Sequence, residues 1–440
     1  MRGVYLTKSN TLNAEAEALN NTIKSSSHTV LEILSARGKA IYFPKKGILS
    51  QSAEAKGKRI NATIGIALED DSTPMRLNAI AGQISLTPDA VFPYAPSPGI
   101  PKIREKWKQM IFEKNPSLTN KTMSLPIVTS GLTHGLSIAG YLFVDPKDKI
   151  IIPDLYWENY DLVFGNAYGA RFVPFKFFRS GRFNIEGLKN RLSGKAGKKI
   201  LLLNFPNNPS GYTPTIEEAD QIVEAIRVCA SEGSRIVVIL DDAYFGLVYQ
   251  DGICKESLFA ALSNIHENVF AIKIDGPIKE DYTWGLRVGF LSFAIKNGTK
   301  ELYDALESKA GGAIRGNISN CSNLSQSLLL KAFEDPGYKD EKKVKNDILK
   351  KRYLAIRAAL TDRKYSRHFR ALPFNSGYFM CVEIKDVEAE KVRQQLIQKY
   401  DVGVICFGQL IRIAYSAVLE KDIKAIFEAI YSACEELGRK

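Results

Sequence analysis

The stretch Lys199-Ile-Leu-Leu-Leu-Asn-Phe-Pro-Asn-Asn-Pro-Ser-Gly211 decides the fold. Ile200, Leu201, Leu202 and Leu203 are apolar at consecutive positions, so a strand built from them turns apolar groups to both of its faces. Strands of that kind belong to parallel sheets covered by helices on either side. The run stops at Asn204, and the Pro, Asn, Ser and Gly residues that follow make a turn.

Working outward, similar apolar runs occupy residues 125–128, 149–152, 235–240 and 269–274, with amphipathic stretches between them. One intervening helix announces its start: Thr215 stands three residues before Glu218 as a capping box, and Ile216, Ala219, Ile222, Val223 and Ile226 follow at helical spacing. Around Pro336 the pattern changes to a highly charged helical stretch, 339–360, followed by apolar segments at 377–384 and 410–414. The expected fold class is therefore α/β. A large, doubly wound, mainly parallel sheet domain spans 66–335, and a smaller α+β domain is formed by residues 1–65 and 336–440.

Composition narrows the function classes. Of 440 residues, 45% are hydrophobic and 25% charged, which excludes a disordered, collagenous or coiled-coil chain. The six cysteines (Cys229, Cys254, Cys321, Cys381, Cys406 and Cys434) form no C-x-x-C pair and have no His at ligand spacing, so no metal site is expected and a reducing, cytoplasmic setting is. The first 20 residues carry no signal-peptide apolar core. Residues 122–144 lack Asp, Glu, Lys and Arg, but Pro126, Ser130, Gly131, Thr133 and Gly135 break them into strand, loop and helix, so no membrane span is expected. The net charge of +12 concentrates near the N-terminus, at Arg2, Lys8, Lys24, Arg37, Lys39, Lys45, Lys46, Lys56, Lys58 and Arg59. No zinc finger, RNP-type aromatic stripe or helix-turn-helix accompanies it, so a solvated basic face is expected and nucleic acid is not.

In an open α/β sheet, ligands bind beyond the carboxyl ends of the strands. Four polar groups follow apolar runs there: Thr129-Ser-Gly-Leu-Thr133, Asn204 to Gly211, Asp241-Asp-Ala-Tyr244, and Asp275-Gly-Pro-Ile-Lys279. Singly, each is ordinary turn or cap chemistry. Together they offer an anion-binding turn, an acid, a phenol, an amide and an amine.

In that order, with Arg287 completing Lys-x7-Arg-x-Gly and Arg412 near the end, the chain resembles the aspartate aminotransferase family (class I/II), the fold type I enzymes that use pyridoxal 5'-phosphate. The resemblance covers about residues 60–415. It implies an aminotransferase that moves an α-amino group from an amino acid to a 2-oxo acid in a ping-pong cycle through a Lys279 Schiff base. A lyase or decarboxylase on the same scaffold is the alternative, and a non-catalytic regulator a more distant one.

The resemblance implies roles residue by residue. Lys279, Asp241 and Tyr244 are catalytic: the amine forms the Schiff base and moves the proton, Asp241 keeps the pyridine nitrogen protonated, and Tyr244 with Asn208 donates to the ring oxygen. Backbone N–H groups of Gly131 and Leu132, the Thr133 hydroxyl and Arg287 hold the phosphate. Trp157, with Tyr156 as the alternative, stacks on the ring. Arg412, Asn208 and Gly65, the last in the segment 61–65, bind substrate. Tyr94 reaches the phosphate of a neighbouring subunit, which implies a homodimer with shared active sites. The family's hydroxyl residue before the lysine is here Gly276, which leaves Thr133, Arg287, Lys273 or Tyr282 to supply the missing donor. His134 is expected to pack behind the site rather than to act in it.

Overall fold

The computed structural model of the chain describes residues 12–42 and 47–438. Arg2, Lys8, Lys45 and Lys46 of the basic N-terminal set lie outside the described residues. Seven strands form the main sheet: β1 (Ile127–Thr129), β2 (Lys149–Pro153), β3 (Arg171–Phe175), β4 (Lys198–Asn204), β5 (Arg235–Asp241), β6 (Val269–Asp275) and β7 (Gly289–Ile295). Their spatial order is β1-β7-β6-β5-β4-β2-β3. The pairs β3/β2, β2/β4, β4/β5 and β5/β6 are parallel, and β7 runs antiparallel to both β6 and β1.

The apolar run that opened the reading explains the layering. Ile200 and Leu202 point into one core with Ile150, Ile152, Ile239 and Ile272, covered by the helices Leu132–Phe143 and Lys300–Ile318. Leu201 and Leu203 point into the other with Val238, Leu240 and Ala271, covered by Pro101–Lys114 and Ile216–Ser231. The second helix starts where its sequence says: Thr215 Oγ1 accepts the Glu218 N–H at 3.2 Å and Glu218 Oε2 accepts the Thr215 N–H at 2.9 Å. Residues 122–144 contain β1, a turn at Gly131 and a 12-residue helix, and no described helix is long and apolar enough to cross a membrane.

Two strands escape a reading by apolar runs. β3 is an edge strand, Arg-Phe-Val-Pro-Phe, whose proline is tolerated because one side of an edge has no partner. β7 is apolar like its neighbours, and periodicity carries no information on strand direction.

Beyond the charged helix Tyr338–Ala359 a second, antiparallel sheet is built from β8 (Phe369–Ala371), β9 (Phe379–Ile384), β10 (Ile405–Phe407) and β11 (Leu410–Ala414), in the order β8-β9-β11-β10. The N-terminal segment is laced to it. Ile60–Asn61 pairs in parallel with Val402–Gly403, and the Gln51 amide bonds both the N–H and the C=O of Cys406 at 2.6 and 2.8 Å. Lys58 and Arg59 of the basic set are paired there with Asp401 and Asp422.

The two sheets meet through the turn after β4. Gly211 C=O accepts the N–H groups of Asn375 and Ser376 at 2.9 and 3.0 Å, and Thr213 N–H donates to Asn375 Oδ1 at 2.9 Å. Gly211 has φ +72°, and a Cβ there would stand 1.8 Å from the Phe379 carbonyl oxygen. Gly211→Ala is accordingly expected to lose more than about 3 kcal/mol of stability. Gly194→Ala, at φ +97° but facing open space, should lose only about 1 kcal/mol. Urea unfolding of both variants measures the difference.

Candidate active site

Strand register brings the polar ends together. Asn204 at the end of β4 lies beside Asp241 at the end of β5, which lies beside Ile274 one residue before the end of β6. The Asn204 side chain joins two of these ends: its Nδ2 donates to the Asp241 carbonyl at 2.7 Å, and its Oδ1 accepts the Asn208 N–H at 2.7 Å. Gly65, Leu132, Thr133, Trp157, Asn208, Asp241, Tyr244, Lys279, Arg287 and Arg412 then line one cavity of about 420 Å³.

Asp241 is buried. Its Oδ2 accepts the Tyr160 hydroxyl at 2.6 Å and its Oδ1 accepts the Ala243 N–H at 3.2 Å. Burial pushes the carboxyl up to about 6, the Tyr160 bond works against that, and neighbouring Asp242 adds to it. Tyr160 is a functional candidate that the sequence reading passed over, because an aromatic in an aromatic-rich stretch gives no sign of which acid its hydroxyl meets.

Lys279 sits on the short helix Pro277–Glu280 that follows β6, with Nζ donating to the Gly65 carbonyl at 3.0 Å and lying 5.3 Å from the Tyr244 ring centroid. Tyr378, the residue before β9, fixes that helix by donating to the Lys279 carbonyl at 2.6 Å. Burial foremost, then Arg287 and Arg412, lower the amine to about 8 against the opposing pull of Asp241.

Arg412 on β11 is buried, with Nη1 donating to Asn208 Oδ1 at 3.2 Å and Nη2 to the Thr63 carbonyl at 3.3 Å, its plane 4.3 Å from the Phe379 ring centroid. Its Nε has no partner among the described residues. One guanidinium therefore touches the N-terminal segment, the turn after β4 and the second sheet.

The comparisons with known proteins fit this geometry. Residues 78–430 match the family model for aminotransferase class I and II. The chain belongs to that family. It is 25% identical to a probable aspartate/prephenate aminotransferase of Aquifex aeolicus, over 78% of this chain and 84% of that one. It is 26% identical to the aspartate aminotransferase of Bacillus subtilis, over 64% and 68% of the two chains. Its fold is shared with an aminotransferase from Anaerococcus prevotii (TM-score 0.80, 23% identity, 91% of this chain and 99% of that one). The Thermus thermophilus aspartate aminotransferase shares it too (TM-score 0.71, 18% identity, the same coverage). The protein is thus a pyridoxal phosphate-dependent aminotransferase, an enzyme of the fold type I architecture.

The aminotransferase's cavity suits that cofactor. Gly131 has φ +78°, and a Cβ there would stand 2.3 Å from Arg287 Nη2, so the guanidinium rests directly against the start of the helix Leu132–Phe143. The Gly131 N–H, expected to face the phosphate, instead donates to the Thr129 carbonyl at 2.8 Å. The N–H groups of Leu132 and Thr133 stand in the first turn of that helix, where no carbonyl four residues back bonds them. At Gly276 a side chain would be crowded: a Cβ would stand 3.0 Å from both Gly289 Cα and the Val288 carbonyl oxygen.

Lys273 does not replace the missing hydroxyl. It is fully buried between Asp242 and Asp275, and Trp107 Nε1 donates to Asp275 at 3.0 Å. Tyr282 is buried and does not line the cavity. Trp284 does line it, and its Nε1 has no partner among the described residues. Nothing in the sequence marked this tryptophan.

Trp157 lines the cavity, whereas Tyr156 packs against Tyr160 and Phe172 and donates to Asp161. His134 Nδ1 accepts the Ser130 N–H at 3.0 Å, and burial holds its ring below the usual histidine range. Tyr94 is 91% exposed and does not line this chain's cavity.

The Lys279 amine gives a pH test on the cofactor-free aminotransferase. Its folded value, about 8, lies below the unfolded 10.5, so between those limits the unfolded chain binds more protons and this group's contribution to stability rises with pH. Lys279→Met should therefore be more stable than the parent at pH 7, with the advantage shrinking as pH climbs from about 8 to 10. Urea unfolding at several pH values reads the gap.

Proposed function

We propose that Lys279, Asp241 and Tyr244 carry the amino transfer in this cavity, and that the convergence of Lys279, Asp241 and Arg412 on one space is the observation that carries the reading. Pyridoxal phosphate, when bound, supplies a carbonyl carbon that takes the amino group and a cationic ring that withdraws electrons from the substrate Cα. Lys279 Nζ would hold that carbonyl carbon at rest and would be the base placed to take the proton from the substrate Cα. An amine lowered to about 8 is available as a base near neutral pH.

Asp241, at about 6, is mostly ionised at pH 7 and supplies the negative partner for the ring nitrogen, with Tyr160 keeping its carboxylate oriented. Tyr244 and Asn208 donate to the ring oxygen, and Trp157 covers the ring. Leu132, Thr133 and Arg287 hold the phosphate, Gly131 lets Arg287 approach, and Trp284 Nε1 supplies the donor that Gly276 cannot. Arg412 takes the substrate α-carboxylate as a bidentate pair, beside the Gly65 backbone. Family membership favours this reading over carbon-bond cleavage or a non-catalytic role.

We extend the reading to the assembly. The sheet of β1–β7 lies within 66–335, and the described residues of 1–65 join those of 336–440 as the second domain. The exposure of Phe92 and Tyr94 supports a homodimer in which Tyr94 completes the partner's phosphate site, and the free cysteines support a cytoplasmic setting.

Two variants test the roles. Lys279→Ala should retain bound cofactor, show no absorbance change with any amino acid, and lower turnover by at least about 10³-fold. Arg412→Lys should raise KM for amino and oxo acids by about 10² while shifting kcat much less, because a point charge replaces a fork. Turnover by Lys279→Ala near the parental rate would remove Lys279 from the mechanism.

A further inference from the structure

The part of the cavity that receives the substrate side chain has a chemistry of its own. From Trp157, Asn208 and Arg412 the space continues into a smaller pocket, apolar at Ile48, Leu155, Ile405 and Phe407 and acidic at Asp154 and Glu158. The two acids differ in what already occupies them. Asp154 accepts the Phe177 N–H at 2.8 Å and pairs with Lys176 at 2.9 Å.

Glu158 accepts the Ile48 backbone N–H, and its carboxyl is held above the usual range by burial and by Glu15, against the pull of Ile48 and Arg412. It makes no ion pair among the described residues. The backbone closes over it, since a Cβ on Gly47 would stand 3.3 Å from Glu158 Oε1. Arg412 pulls on it through space but makes no ion pair with it, its Nη atoms donating to Asn208 and to the Thr63 carbonyl. A half-buried carboxylate with spare acceptor capacity and no ion pair among the described residues gains from a donor that arrives with the substrate.

We propose that Glu158 selects the amino acid: the substrate carries an unbranched apolar stem ending in a positive charge, which Glu158 receives while Arg412 holds the α-carboxylate. The inference rests on the amino-transfer reading and names the substrate class of that site. The apolar wall covers the stem. A distal carboxylate would be set against Glu158 and rejected, and an uncharged stem would leave Glu158 unpaired.

The test is single-turnover conversion of the cofactor-loaded enzyme, followed by absorbance. Ornithine, lysine and arginine are compared with norleucine and methionine as uncharged stems, and with aspartate and glutamate. The basic amino acids should show an efficiency at least about tenfold above norleucine, with the acidic ones below it. Glu158→Gln keeps an oxygen for the Ile48 N–H, so the fold survives, as thermal unfolding checks. It should raise the half-saturating concentration of the basic substrates about tenfold more than that of norleucine. Faster conversion of aspartate or glutamate than of ornithine, or an unmoved ranking in Glu158→Gln, overturns the inference while amino transfer stands. Conversion of no amino acid at all overturns both.

Discussion

The active site depends on the Asn204 side chain. Its amide donates to the backbone of Asp241 and accepts from the backbone of Asn208, so it locks the strand end that carries the acid to the turn that carries the amide. Everything outward from that clamp is positioned by it. The turn reaches Gly211, where its backbone is received by Asn375 and Ser376, and Asn208 Oδ1 accepts from Arg412. A short residue with one donor and one acceptor in a fixed plane suits the place, because both groups it serves are backbone atoms that would otherwise be buried without partners.

The electrostatics of the cavity follow from the same closeness. Lys279, Arg287 and Arg412 share one space, and with burial the two arginines drive the lysine toward its neutral form. Asp241 answers them from the other side, but burial and Asp242 weaken it as an anion until Tyr160 compensates in part. Behind it, Lys273 lies between Asp242 and Asp275, one cation pairing with two carboxylates within the core. Lys279 and Asp241 are thus shifted in opposite directions, the amine down to about 8 and the carboxyl up to about 6.

Much of this was legible in the chain. The runs around Ile200, Ile236 and Ile272 announced a parallel sheet because apolar residues on both faces leave no other way to bury them, and Thr215 with Glu218 announced a helix start. The residues at the strand ends were legible because ligand sites in such sheets form there and because their spacing resembles a known family. Asn204, Tyr160, Tyr378 and Trp284 were not. Each acts on a partner 37 to 99 residues away, or through an indole nitrogen whose neighbours only packing determines, and a hydroxyl or amide carries no mark of its partner in the sequence. The Gly131 donor was misjudged for a related reason: which N–H groups a helix leaves free depends on the turn before it.

The sequence by itself determined the layers, the strand-end chemistry and the lysine, because these follow from local periodicity and from the order of residue types. The tertiary structure decided which of these groups share a space, how far each is charged, and what the pocket beyond Arg412 accepts. The physical reason is that burial and Coulomb interactions depend on distances between residues far apart in the chain. Gly65 and Lys279, or Ile48, Glu158 and Arg412, become neighbours only when the two sheets close on each other.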